Sequence, residues 1–86
     1  MPELRDTRLR RLTMRSMRRG IREMDILMSR YAAARLEGLS DTDLDIYDAL
    51  LEENDQDLYQ WVSGQVAAPD HYRAMIDDIA KAPDTP

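Results

Sequence analysis

From Ile21 to Leu36 the apolar residues fall at Met24, Leu27, Met28, Tyr31 and Ala32. That i, i+3, i+4, i+7, i+8 spacing lines one face of an α-helix and no face of a strand. The same period recurs in every other stretch of the chain. Leu9 and Leu12, with Ser16 or Met17, mark the inner face of a first helix over about Asp6 to Met17. Leu44, Tyr47, Leu50 and Leu51 mark a third helix. Leu58, Tyr59, Trp61 and Val62 mark a short fourth, and Tyr72, Met75, Ile76 and Ile79 a fifth. Strand signals are missing: β-branched residues are few, apolar residues do not alternate, and no Asn-Gly or Asp-Gly hairpin turn occurs.

The punctuation between these stretches is local chemistry. Gly20 ends the first helix or lies in the connection after it, where glycine permits φ > 0 or close approach of another group. Gly38 stops the second helix. Ser40 is a good N-cap for the third, with Asp43 three residues on and Leu39 and Leu44 at hydrophobic-staple spacing. Asp41, Asp43 and Asp45 then complement the positive end of that helix's dipole. Asn54 or Asp55 caps the fourth helix, Gly64 closes it, and Ala67-Ala68-Pro69 leads into the fifth. Each short helix has an apolar stripe that only the others can cover. The expected fold is therefore all-α, a compact five-helix bundle in a single small domain over 1–86, with tails at 1–5 and 82–86 frayed. Leu44, Leu51, Leu58, Trp61, Ile76 and Ile79 are the expected core, although Trp61 is also a candidate interface anchor.

Eighty-six residues allow one domain that buries only roughly 60 to 65 per cent of its unfolded surface. Six methionines and no Phe suit a loose core or an adaptable contact surface. The absence of cysteine excludes disulfides, thiolate nucleophiles and Cys-based metal sites. No apolar run approaches the roughly 20 residues of a membrane span, and the N-terminus has no secretory h-region. Arg-richness there is also a feature of mitochondrial transit peptides, but a motif beginning at Arg18 leaves no room for a removable segment. A bacterial-type cytoplasmic protein is the expectation.

The net charge of −5 is unevenly spread. Residues 1–36 hold ten arginines against four acids, and residues 37–86 hold two basic residues against thirteen acids. Such a dipolar chain is expected to orient itself toward a charged partner. Nine of the ten arginines there are not accompanied by the aromatics that base stacking needs.

The catalytic inventory is thin. His71 stands alone and reads as a solvated helix-end residue. Asp41, Asp43 and Asp45 imitate part of a calcium loop, but Ile46 stands where that loop needs glycine. Gly20, Gly38 and Gly64 are too far apart for a phosphate loop. No catalytic residue, metal ligand or bound cofactor is expected.

Arg18-Arg19-Gly20-Ile21-Arg22-Glu23-Met24-Asp25 remains. Its plain reading is a helix cap followed by a favourable first-turn acid. It also has what a contact point needs: a glycine that admits a partner's backbone, a carboxylate on a rigid turn, and arginines that fork onto carboxylates. Asp25 is placed to pair with Arg22 or Arg18. This segment resembles the Arg-Gly-x-x-Glu signature of the SdhE-type flavinylation and assembly factors of succinate dehydrogenase. Asp55-Gln56-Asp57-Leu58-Tyr59-Gln60-Trp61 is a second family-like stretch at the expected distance. One departure is that many members carry a tryptophan shortly before the double arginine, where this chain has Met14 and Met17.

The resemblance implies a five-helix bundle and a protein that is not an enzyme. It implies binding to the flavoprotein subunit of succinate dehydrogenase, and of fumarate reductase, so as to promote covalent attachment of FAD to a histidine of that subunit. FAD then belongs to the partner. Arg19, Gly20 and Glu23 fall on the signature, with Arg18 and Asp25 flanking it; these five are the expected partner-binding residues. The free chain is expected to be a monomer without membrane insertion. Two other readings stay open: an Arg-rich nucleic-acid-binding or antitoxin-like regulator acting through Arg8, Arg11 and Arg15, and a generic helical adaptor.

Overall fold

A computed structural model describes residues 3–81. The order is α1 (Arg5–Ser16), α2 (Arg22–Arg35), a 3₁₀ turn (Leu36–Gly38), α3 (Asp41–Leu50), α4 (Asp55–Val62) and α5 (Asp70–Ala80). No strand occurs among the described residues. These helices form one small domain with a Cα radius of gyration of 12.2 Å, the value a compact chain of this length should have, about 12 Å.

The caps follow from the sequence. Ser40 Oγ accepts the Asp43 N–H at 3.1 Å, and Asn54 rather than Asp55 caps α4, its Oδ1 accepting from Gln56 N at 2.8 Å. Gly64 takes the left-handed conformation after α4, φ +84°, where a β-carbon would be strained. Residues 1–2 and 82–86, including Pro83 and Pro86, lie outside the described residues. Both Glu3 carboxylate oxygens accept from Arg11 at 2.9 Å, and Arg5 opens α1.

The apolar stripes of the five helices meet in one core. Leu12, Met24, Met28, Leu44, Tyr47, Leu50, Leu58 and Ile79 are wholly buried, and Leu51 and Ile76 nearly so. Trp61 departs from the core list. It is half-buried at the core's margin, its ring 5.9 Å from that of Tyr72. Of the two inner-face candidates ending α1, Ser16 is buried and Met17 exposed.

Ser16 earns its buried place by hydrogen bonding. Its hydroxyl donates to Leu12 O at 2.8 Å and shares a 2.5 Å hydrogen bond with the Tyr47 hydroxyl of α3. Its carbonyl accepts from Ser29 Oγ of α2 at 3.3 Å. One small residue thus fixes the end of α1 against two other helices, just before the chain turns. Tyr31 and Tyr47 pack beside it, ring centroids 5.5 Å apart. Burial pushes both phenols up to about 12.

Candidate docking corner

The chain turns between α1 and α2 at Met17–Ile21, and two distant carboxylates hold the turn. Asp25, in the first turns of α2, accepts the backbone N–H of Arg18 at 3.0 Å and the Ser29 hydroxyl at 3.3 Å. Asp55, the first residue of α4, accepts the Gly20 N–H through Oδ2 at 2.5 Å and Arg19 Nε through Oδ1 at 2.8 Å. Arg18 between these anchors has φ 59°. This left-handed conformation costs a non-glycine residue about 1 kcal/mol.

Gly20 owes its identity to close approach. It is not in the left-handed region; the residue there is Arg18. A β-carbon on Gly20 would stand 3.0 Å from Asp55 Oδ2, a carboxylate oxygen already pinned by hydrogen bonds. The flanking acid also works differently from the expectation. Asp25 takes the backbone of Arg18, not a guanidinium, so it shapes the turn instead of orienting a charge.

Arg19 turns inward. Its side chain is 11% exposed and that of Asp55 17%. Beyond Asp55, its guanidinium donates to the carbonyls of Arg15 at 3.3 Å, Leu51 at 3.1 Å and Glu53 at 3.4 Å. Carbonyls at helix C-termini lack intrahelical partners. One arginine therefore satisfies the ends of α1 and α3 and reaches the start of α4. Of the five residues singled out from the sequence, Arg18, Gly20 and Glu23 are exposed, Asp25 is half-exposed and Arg19 is committed internally. Glu23 stands in the first turn of α2, a helix without a side-chain cap, where a carboxylate favours the helix dipole. Met14 and Met17, on the approach to the corner, are also exposed.

Four arginines of α1 are paired with acids of α3 and of the turn that follows it. Arg5 meets Asp41, Arg8 meets Asp45, Arg11 meets Asp48, and Arg15 meets Asp48 and Glu52. Apart from Arg15 and Asp48, which are 33 positions apart, the partners lie 36 or 37 positions apart, so α1 and α3 run parallel with their charged edges in register. Arg11 holds the Glu3 and Asp48 carboxyls below the usual range through direct hydrogen bonds, and its own guanidinium is held more firmly protonated. Much of the charge asymmetry expected to steer partners is therefore spent inside the fold. The nucleic-acid reading loses the Arg8–Arg11–Arg15 face it required. No group of three or more His, Cys or acidic residues that could hold a metal occurs among the described residues, and no described helix is long and apolar enough to cross a membrane.

Fold and corner define a small all-α module with a charged, carboxylate-held turn facing solvent. Residues 10–83 match the family model described as flavinator of succinate dehydrogenase, and the chain belongs to that family. It is similar to proteins named succinate dehydrogenase assembly factor 2, mitochondrial. The one from Meyerozyma guilliermondii is 49% identical over 61 residues, 71% of this chain and 45% of the relative. The one from Debaryomyces hansenii is 47% identical over 58 residues, 67% of this chain and 41% of the relative. The one from Mycosarcoma maydis is 37% identical over 79 residues, 92% of this chain and 33% of the relative. The chain thus spans less than half the length of these three. Their names also correct one expectation. The relatives are mitochondrial proteins, which overturns the bacterial-type cytoplasmic location inferred from the N-terminal sequence.

Proposed function

We propose that this chain is a non-catalytic assembly factor that docks on the flavoprotein subunit of succinate dehydrogenase and promotes covalent attachment of FAD to it. The observation that carries this reading is the exposed Gly20–Glu23 corner, locked by carboxylates from two helices, on a member of the flavinator family. Glu23 and Arg18 supply charge at fixed positions. Gly20 supplies a surface without a side chain, so a partner's backbone can lie close. The flavin is the partner's cofactor, and this chain acts on the subunit that holds it. By fixing that subunit's conformation, the bundle keeps the flavin and its acceptor side chain in near-attack geometry, where alignment alone removes a large part of a barrier. The fumarate reductase flavoprotein is a second candidate partner on the same chemistry.

The test is co-expression of the flavoprotein subunit with this chain in a host lacking other assembly factors. Covalent flavin is read as fluorescence in a denaturing gel. Glu23→Ala and Gly20→Arg are each expected to abolish most of the signal while the helical circular dichroism of Glu23→Ala is unchanged. Undiminished fluorescence with both variants overturns the assignment of the corner.

A further inference from the structure

Asp55 lies 35 positions from Gly20 and outside the Arg-Gly-x-x-Glu segment, yet it is the only side chain that grips two consecutive residues of the turn through its two oxygens, among the described residues. We propose that Asp55 is the positioning residue of the docking corner: from the rigid start of α4 it sets the conformation that Gly20 and Glu23 present to the partner. The inference rests on the docking reading above.

Three observations carry it. A turn containing a left-handed arginine does not hold itself, because Arg18 relaxes to ordinary backbone once released. Such a conformation persists where its surroundings over-determine it, and here the surroundings are Asp25 on the Arg18 N–H and Asp55 on the Gly20 N–H and the Arg19 fork. Next, the Asp55 carboxylate is itself held. It sits at the N-terminus of α4, where the helix dipole favours negative charge, beside the capping Asn54, and Arg19 approaches its Oδ1 to 2.7 Å. Last, the grip is close. A Gly20 β-carbon would stand 3.0 Å from Asp55 Oδ2, tighter than ordinary van der Waals contact, so glycine and aspartate fit as a pair. Asp55 is only 17% exposed and acts through Gly20 and Arg19; the surface offered to the partner is that of Gly20 and Glu23.

Asp55→Asn tests the proposal because it keeps the shape and one acceptor but sets an amide N–H₂ against a donor, either the Gly20 N–H or the Arg19 guanidinium. Two readouts are taken on the full chain: affinity for the purified flavoprotein subunit, and hydrogen exchange at the Gly20 amide. In Asp55→Asn the affinity falls by roughly tenfold or more and the Gly20 amide exchanges faster, with helical circular dichroism retained. Glu23→Ala loses affinity but keeps the slow Gly20 exchange of the unaltered chain, which separates contact from positioning. If Asp55→Asn loses its helical signal, Asp55→Glu replaces it; this variant keeps the charge but pushes the carboxylate into the Gly20 approach, and the same losses are expected. Binding by either folded variant as tight as that of the unaltered chain overturns the proposal and leaves the docking reading standing. Failure of the unaltered chain to bind overturns the docking reading, and the positioning role falls with it.

Discussion

Arg19 and the arginines of α1 use the same fork on the same kind of carboxylate, along the same edge of the bundle, but in different surroundings. In the α1–α3 ladder the side chains are 20–43% exposed on the arginine side, Asp41, Asp45 and Glu52 are 70% or more exposed, and only Asp48, at 28%, is more enclosed. At the corner both partners are nearly enclosed, at 11% and 17%. An exposed pair gains little over its hydrated parts, about 0–1 kcal/mol. An enclosed pair contributes more to geometry than to net stability, because what matters is the cost of stranding one charge when the other is removed. The ladder aligns two helices; the buckle fixes a turn. The same chemistry becomes registration at one end and presentation of a surface at the other.

The largest test of that contrast is Arg19→Ala. It strands the Asp55 carboxylate and frees the carbonyls of Arg15, Leu51 and Glu53. A loss of about 3 kcal/mol is expected, read by urea unfolding. Arg19→Lys rescues only part of it, since an ammonium cannot reproduce the planar fork. A loss below that of any single ladder variant means that burial is not what distinguishes the two regions.

Much of this architecture was legible in the sequence because it is local. Ser40, Asn54 and Gly64 act on their own helix ends, and the stripes on α2, α3 and α5 follow from the 3.6-residue period. The corner's residues were legible as a segment. What holds them was not, because Asp55 reaches Gly20 across 35 positions and the fourth helix gives no local sign of where its first residue points. A signal for the ladder existed: Arg5, Arg8, Arg11 and Arg15 recur every three or four residues, as do Asp41, Asp45, Asp48 and Glu52. Matched periods of opposite charge on two helices are a registration pattern, and reading the two charge blocks as a steering dipole missed it. Trp61 was misplaced because a large apolar residue on a two-turn helix says nothing about which neighbour covers it.

Alkaline titration separates core from charge. Arginine stays protonated throughout this range, so neither buckle nor ladder loosens. Tyr31, Tyr47 and Tyr72 have phenols pushed up from 10.0 to about 12. A raised folded-state value gives stability that is complete below pH 10 and lost as pH rises through 12. The melting temperature should fall across that window. Tyr47→Phe should flatten the decline, whereas Arg19→Ala should lower the whole curve.

Asp48 is the centre of the ladder, accepting from Arg11 at 2.9 and 3.2 Å and from Arg15 at 3.4 Å. Asp48→Ala should cost about 1 kcal/mol in dilute buffer and much less in molar salt, where screening shortens the Debye length to about 3 Å. The sign with pH is fixed as well. The Asp48 and Glu3 carboxyls are held below their ordinary values, so their contribution is present above the normal carboxylate range and disappears as pH falls through the depressed values. The Asp48→Ala protein should show a shallower acid limb than the parent.

The smallest effect is the most discriminating, because Arg5 repeats the contacts of Arg19 at the open end of the ladder. It bonds a carboxylate, Asp41, at 2.9 Å, and two backbone carbonyls, Glu37 at 3.0 Å and Leu39 at 2.7 Å. The atoms are alike; the exposure, 43% and 86%, is not. Asp41→Asn leaves the carbonyl bonds in place and should change stability by no more than about 0.3 kcal/mol. Arg5→Ala also loses the carbonyl bonds, but water replaces them at a solvated site, so its cost should stay near 0.5 kcal/mol. A cost for Arg5→Ala approaching that of Arg19→Ala would show that the carbonyl contacts, and not enclosure of the charge pair, set the strength of the corner.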